Sequence, residues 1–476
     1  MQIRRCIKKI NWSYFWRFPR NVRRVPWPLP LRFLYAVFGL CLVLRFLYVT
    51  VHLGPFHDIS NDWGRHWWNG VHLFDAPEFM GGVDPKLFQL WVWLLHTLTG
   101  DRKWAVEGVT GLLCAAMPYV WFLVAREIFT LRQALVIAIV IAVSPTFLVI
   151  YSFFMNETLL LVMLGLALWL TLRAVRLRTP RAYQLAVVFW VLALHARMTV
   201  LPLMLLSIGW MLGYQMRKLR SLCFAVMALV VLTLPAAVQS YRVLGTFSPF
   251  QFSTLNAIYF KNGSMFHNYY IIDGRYRGSY SWSSPSYYMN VLEPLAEFRS
   301  YRNRERAPVI IRMENGSGDF DREYATLRSE YDLYSFLNDT YENMLFLFVS
   351  GSWPDSGSWS DDWFFRMNFY MRWMWTALMV GMVVLGPFVP LGEKKAFLMA
   401  LTLALIFTLS AQQLGIMEGR YRKPLEPLLL MSAVAVWPGL RVRQLAPGLY
   451  TPYHFGLQYY LLPMWRKGRL ALAALG

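Results

Sequence analysis

Apolar residues along this chain gather into long blocks separated by short polar or basic stretches, a pattern that predicts a bundle of membrane-crossing helices. Crossing the hydrocarbon takes roughly 20 apolar residues in a helix. Blocks that reach or approach this length run over 31 to 51, 106 to 125, 133 to 151, 158 to 173, 183 to 196, 199 to 213, 221 to 240, 372 to 389, 396 to 414 and 424 to 440. The fifth and sixth are short. "LFQLWVWLLHTL" (87 to 98) is shorter still and reads as interfacial or re-entrant. Ten spans place both chain ends on one side of the membrane.

Charge orients that bundle independently, because arginine and lysine in short loops stay on the cytoplasmic side. Residues 1 to 32 hold nine basic side chains and no acid, which makes that end cytoplasmic. Alternation then puts "RAVRLRTPR" (173 to 181), "RKLR" (217 to 220), "EKK" (393 to 395) and "RVR" (441 to 443) inside as well. Of the 27 acids, 21 fall in the two long outer loops, six between 52 and 104 and fifteen between 241 and 371. The net charge of +20 therefore follows the topology and faces anionic lipid, and no nucleic-acid partner is expected. The first apolar run is too long for a signal-peptide core and reads as a retained span. The four cysteines all lie in spans or on the inner side, so no disulfide framework supports the long outer loop, and no Cys/His spacing suggests zinc.

The fold class expected is thus an α-helical polytopic membrane protein of about ten transmembrane helices, with an interfacial helix in the first outer loop and an extracytoplasmic domain of about 130 residues. It divides into a basic cytoplasmic N-terminus (1 to 30), a transmembrane block (31 to 240) whose first outer loop spans 52 to 104, an outer domain (241 to 371), a second transmembrane block (372 to 440) and a cytoplasmic tail (441 to 476). The outer domain reads as small and either mixed α/β or helical. No internal repeat is evident, which weakens a transporter reading.

Ionisable groups in or beside spans are costly and mark functional candidates. By this topology they converge on the outer face. Asp58 and Asp62 follow the first span in "HDISNDWGRHWWNG"; Glu157 opens the fourth in "FFMNETLLL"; His195 and Arg197 occupy the hairpin "LHARMTVLP". Glu418, Arg420, Tyr421 and Arg422 stand at the start of the last span in "MEGRYRKPLEPLLL", with Glu426 one turn further in. Carboxylates beside arginines at outer bilayer depth suit a phosphate headgroup on a long lipid. Arginine offers phosphate a planar fork of donors, and a nearby carboxylate can take the proton of an attacking hydroxyl. Each residue also has a plainer reading: Asn156 and Glu157 as helix-start groups, Arg197 and His195 as turn ligands, Arg420 and Arg422 as interfacial charges. If 60 to 70 is helical, Asp62, Arg65, His66 and Asn69 form one stripe, while Trp63, Trp67 and Gly70 share another face. Asp58 stands before that helix.

These passages, with "DPKLFQLWVWLLHTLTGD", resemble the GT-C glycosyltransferases, in particular the branch of protein O-mannosyltransferases and bacterial aminoarabinose and related lipid-linked sugar transferases. The resemblance covers roughly 31 to 240 and 410 to 440. Departures are Trp63 where a tyrosine is frequent and Asp84-Pro85 in place of a double proline. The resemblance implies inverting transfer of a hexosyl- or pentosyl-type sugar from a polyprenyl-phosphate donor, at the extracytoplasmic face of the plasma (inner) membrane. It implies Asp58 as catalytic base with Asp62 as second choice, Arg197, Arg420 and Arg422 as lipid-phosphate ligands, and Glu157, His195 and Tyr421 in orienting roles. The acceptor is a glycan, lipid or protein. No cofactor or metal is required, since arginines can neutralise the leaving phosphate, though the carboxylates leave a divalent ion open. The competing readings are a transporter or flippase of a lipid-linked sugar, and an envelope glycan polymerase or ligase.

Overall fold

The computed structural model describes residues 30–53, 61–74, 85–152, 156–215, 218–244, 266–272, 275–281, 309–314, 363–386, 391–411 and 422–444, with isolated positions at 333, 337, 340, 344, 347, 348 and 389. Helices dominate. The first, α1 (Leu31–Leu47), passes into a π-helical stretch (Tyr48–Leu53). Two helices follow in the first loop, α2 (Asn61–Val71) and α3 (Lys86–Thr99). Then come α4 (Lys103–Ile128), α5 (Leu131–Val143), α6 (Pro145–Ser152), α7 (Asn156–Leu177), α8 (Pro180–Ala196), α9 (Leu201–Leu212) and α10 (Lys218–Leu244).

Among the described residues between α10 and the last helices there are three strands: β1 (Phe266–Ile272), β2 (Arg275–Ser281) and β3 (Val309–Glu314). They form one antiparallel sheet of order β2-β1-β3, with a register shift between Tyr270 and Ile271. The chain closes with α11 (Trp363–Leu385), α12 (Glu393–Ser410) and α13 (Glu426–Gln444), the last preceded by a 3-10 turn at Lys423–Leu425.

Local chemistry explains several boundaries. Thr130 opens α5 with a capping box, its hydroxyl accepting from the Gln133 amide while the Gln133 side chain reaches back. Thr179 caps α8 ahead of Pro180, whose missing N–H costs nothing in the first turn. The apolar block at 133 to 151, read as a single span, is instead two helices. Proline at 145 has no amide to continue the ladder and disfavours helical backbone at the residue before it, so Ser144 turns extended (φ −67°, ψ 131°) and a new helix starts.

Among the described residues four helical segments are long and apolar enough to cross a membrane: Leu31–Val51, Lys103–Ile128, Asn156–Leu177 and Lys218–Gln239. The central one is α7, buried along nearly its whole length against α4 and α8. By contrast α1 buries one stripe, Leu34, Phe38, Cys41 and Arg45, and leaves Leu40, Val43, Leu44 and Leu47 exposed. That is the arrangement of a peripheral helix with its outer face toward lipid. Trp121, Trp190 and Trp375 are fully buried in the shared core, and the Trp190 indole donates to Thr171 Oγ1 at 2.8 Å. At one end of the bundle Arg176 of α7 meets Glu127 of α4 at 2.9 Å, and Lys394 of α12 donates to the Glu127 carbonyl at 2.8 Å.

Candidate functional site

The opposite end of α7 carries the acidic candidate. Asn156 and Glu157 form its first two positions, and both are buried. Asn156 is not a free cap: its side-chain amide donates to the Ala196 carbonyl at 2.6 Å, tying the start of α7 to the end of α8. Arg197 follows at once, in extended backbone (φ −162°, ψ 127°), which swings its side chain off the axis of α8. Its guanidinium lies 3.6 Å from the Glu157 carboxylate, the side chains 14% and 7% exposed. The other carboxylate oxygen of Glu157 and the side-chain oxygen of Asn156 are buried and find no hydrogen-bond partner among the described residues. Two acceptors beside one arginine suit a ligand that brings hydroxyl or amine donors. His195 looks elsewhere, its Nε2 lying 3.2 Å from Thr233 Oγ1 on α10.

A second cluster forms where α13 begins. Arg422, Lys423 and Glu426 are all fully buried. Arg422 Nε donates to Glu426 at 2.9 Å and its Nη1 to the Leu347 carbonyl at 2.8 Å, while Lys423 Nζ lies 3.5 Å from the same carboxylate. Thr146, in the first turn of α6, donates to the second Glu426 oxygen at 2.6 Å and accepts from Lys423 at 2.9 Å. The spacing of four places Arg422 and Glu426 on one helix face. Closed in this way, the guanidinium of Arg422 is turned toward protein groups. The 3-10 turn at Lys423–Leu425 also packs against α7, the helix that Glu157 opens.

The first loop behaves differently from its stripe pattern. Of the expected polar stripe, His66 and Asn69 are buried, while Trp68 on the same helix is half exposed. The reason is α3: the His66 ring meets the Phe88 ring edge-on at 5.4 Å, and Gly70 packs so closely on Val92 that an added Cβ would fall 2.3 Å from the Val92 Cβ. Asp62 lies within α2. Asp58, Glu418, Arg420 and Tyr421 lie outside the described residues, as do the side chains of Asp62 and Arg65.

Three groups escape the sequence reading. Thr146 and Lys423 complete the Glu426 cluster, and Glu107 of α4 has one carboxylate oxygen buried with no hydrogen bond among the described residues and Lys103 4.0 Å away. Glu107 and Lys423 carry the ordinary signal of an ionisable residue at a span end; Thr146 carries none, since a hydroxyl beside a proline is unremarkable in sequence. Among the described residues no group of three His, Cys, Asp or Glu side chains could hold a metal ion.

The stretch containing Glu157, His195 and Arg197 is what relates the chain to known proteins. Residues 84–241 match the dolichyl-phosphate-mannose-protein mannosyltransferase family. Over this third of the chain the match supports the resemblance to GT-C membrane glycosyltransferases, and the helices long and apolar enough to cross a membrane agree with a multi-pass membrane protein. No curated protein matches the chain. Among solved structures, the crystal structure of ArnT from Cupriavidus metallidurans bound to undecaprenyl phosphate aligns over 89% of this chain and 82% of that one. Its 13% identity and TM-score of 0.39 are too slight to establish a common fold.

Proposed function

We propose that this protein transfers a hexosyl- or pentosyl-type sugar from a polyprenyl-phosphate donor to an acceptor hydroxyl on the extracytoplasmic face, with inversion at the anomeric carbon. The observation that carries the reading is the Glu157–Arg197 pair at the junction of α7 and α8, inside the segment that matches the mannosyltransferase family. The family's description names a dolichyl-phosphate-linked sugar, and a polyprenyl phosphate presents the same chemistry.

In this reading Asp58, or failing it Asp62, takes the proton of the acceptor hydroxyl. The acceptor oxygen attacks the anomeric carbon from the side opposite the phosphate, the bond to the phosphate oxygen breaks, and the lipid phosphate leaves with the electron pair. Arg197, with Arg420 and Arg422 at the start of α13, takes up the negative charge, and Glu157 orients Arg197 while offering its second oxygen to a sugar or acceptor hydroxyl. Tyr421 and His195 have supporting roles. Ten spans, both termini cytoplasmic, and an acceptor-selecting outer domain over 241 to 371 complete the proposed arrangement.

The experiment is direct. Purified protein in lipid nanodiscs is given radiolabelled polyprenyl-phosphate sugars and an extract of envelope lipids, glycans and proteins, and the product is traced by mass analysis. Transfer of label with release of polyprenyl phosphate supports the reading. Donor movement across proteoliposomes without bond cleavage would replace it with a flippase.

A further inference from the structure

Arg45 sits near the C-terminal end of α1, 2% exposed, in an otherwise apolar run. A buried cation in a spanning helix persists only when its donors are used. Here they reach carbonyls on three other helices. Nε donates to Cys114 of α4 at 2.7 Å, Nη1 to Ala142 of α5 at 3.4 Å, and Nη2 to Phe147 of α6.

Two of these carbonyls are ones that proline has deprived of a donor. Within α4 the amide that should serve Cys114 belongs to residue 118, which is a proline and has none. At the end of α5 the Ala142 carbonyl would be served by residue 146 in an unbroken helix, but the chain leaves helical geometry at Ser144 ahead of Pro145. Arg45 supplies the hydrogen bonds that two prolines remove, in a setting with no water to supply them. The same level of the bundle holds the start of α7, where Thr158 Oγ1 lies 3.9 Å from Cys114 Sγ.

The joint that Arg45 grips also carries the Glu426 cluster. Thr146, which bonds both Glu426 and Lys423, is the residue before Phe147, whose carbonyl Arg45 holds and whose ring meets Trp375 edge-on at 5.7 Å. We propose that Arg45 is a positioning residue for the Arg422–Lys423–Glu426 cluster: by fixing the broken α5–α6 joint it places Thr146, and through Thr146 it orients the start of α13 for the donor phosphate. The last clause rests on the donor-site reading given above.

The test uses the full chain in nanodiscs with Arg45→Met, Arg45→Lys, Thr146→Val, the Arg45→Met/Thr146→Val double variant and Arg45→Met/Pro118→Ala. The readouts are folded yield, binding of polyprenyl phosphate, KM and kcat for the donor, and amide hydrogen exchange over 145–152 and 423–430. Arg45→Met is expected to raise the donor KM and the Kd for polyprenyl phosphate about tenfold, with kcat within about twofold. Exchange quickens in both segments, the double variant is no worse than Arg45→Met alone, and Arg45→Lys recovers part of the loss.

Pro118→Ala returns an amide to Cys114 alone, so it restores folded yield to Arg45→Met without restoring KM. Unchanged donor KM together with unchanged exchange over 423–430, in variants that are merely less stable, would overturn the proposal and leave Arg45 a staple. If the wild-type chain binds no polyprenyl phosphate, the donor-site reading fails, and the exchange over 423–430 by itself decides whether Arg45 positions the cluster.

Discussion

Arg197 ends α8 with its guanidinium 3.6 Å from the carboxylate of Glu157 at the start of α7, although 40 residues separate the two helix ends that Asn156 ties together. The pair is largely buried, so each partner depends on the other for its charge to be tolerated. Removing one partner of such a buried pair typically costs roughly 3–5 kcal/mol. Glu157→Gln is therefore expected to lower the thermal midpoint in detergent and to abolish most transfer. Arg197→Gln should do the same to stability while also weakening the response to donor concentration. Wild-type activity in Glu157→Gln would remove that carboxylate from the site.

Asp58 is the proposed base. Asp58→Asn keeps the shape of the side chain and removes only the proton acceptor, so transfer should fall by about 10² to 10⁴-fold while expression and polyprenyl-phosphate binding stay near wild type. Asp62→Asn serves as the control. If Asp62→Asn loses the activity and Asp58→Asn retains it, the base is Asp62.

Arg420 and Arg422 should separate by readout. Arg422 is fully buried and bonded to Glu426 and to the Leu347 carbonyl, so Arg422→Met leaves the buried Glu426 with Lys423 and Thr146 and should reduce folded yield before any kinetic effect can be measured. Arg420→Gln is expected to fold normally and to raise the donor KM. Gel-filtration yield and donor titration distinguish the two, and a normal yield for Arg422→Met would show that Lys423 alone satisfies Glu426.

Packing of α7 against α4 depends on Gly165. A Cβ placed there would lie 2.6 Å from Val120 Cγ1, closer than side chains tolerate. Gly165→Ala is expected to cost about 1–3 kcal/mol by overpacking, and Val120→Ala in the same chain should recover most of it. Thermal unfolding of the single and double variants measures the coupling. Equal loss in both would place the contact elsewhere.

The membrane character of this chain, the places of most of its helices and a short roster of polar residues near helix ends could all be read from the sequence. Hydropathy over a window and the sign of loop charge are properties of neighbouring residues, and a bilayer selects on them directly. Even the break in the span at 133 to 151 was signalled by Pro145, a residue whose backbone chemistry acts on its immediate neighbours.

Which polar groups meet was another matter. Arg45 and Phe147 are 102 positions apart and Thr146 and Glu426 are 280 apart, so no local pattern links them. The tertiary structure alone decided that Arg45 serves carbonyls orphaned by prolines in other helices, that Thr146 meets Glu426, and that His66 and Asn69 face α3. The physical reason is that a buried polar group must find a partner wherever the packing of helices happens to bring one. The sequence of a single helix records only that the need exists.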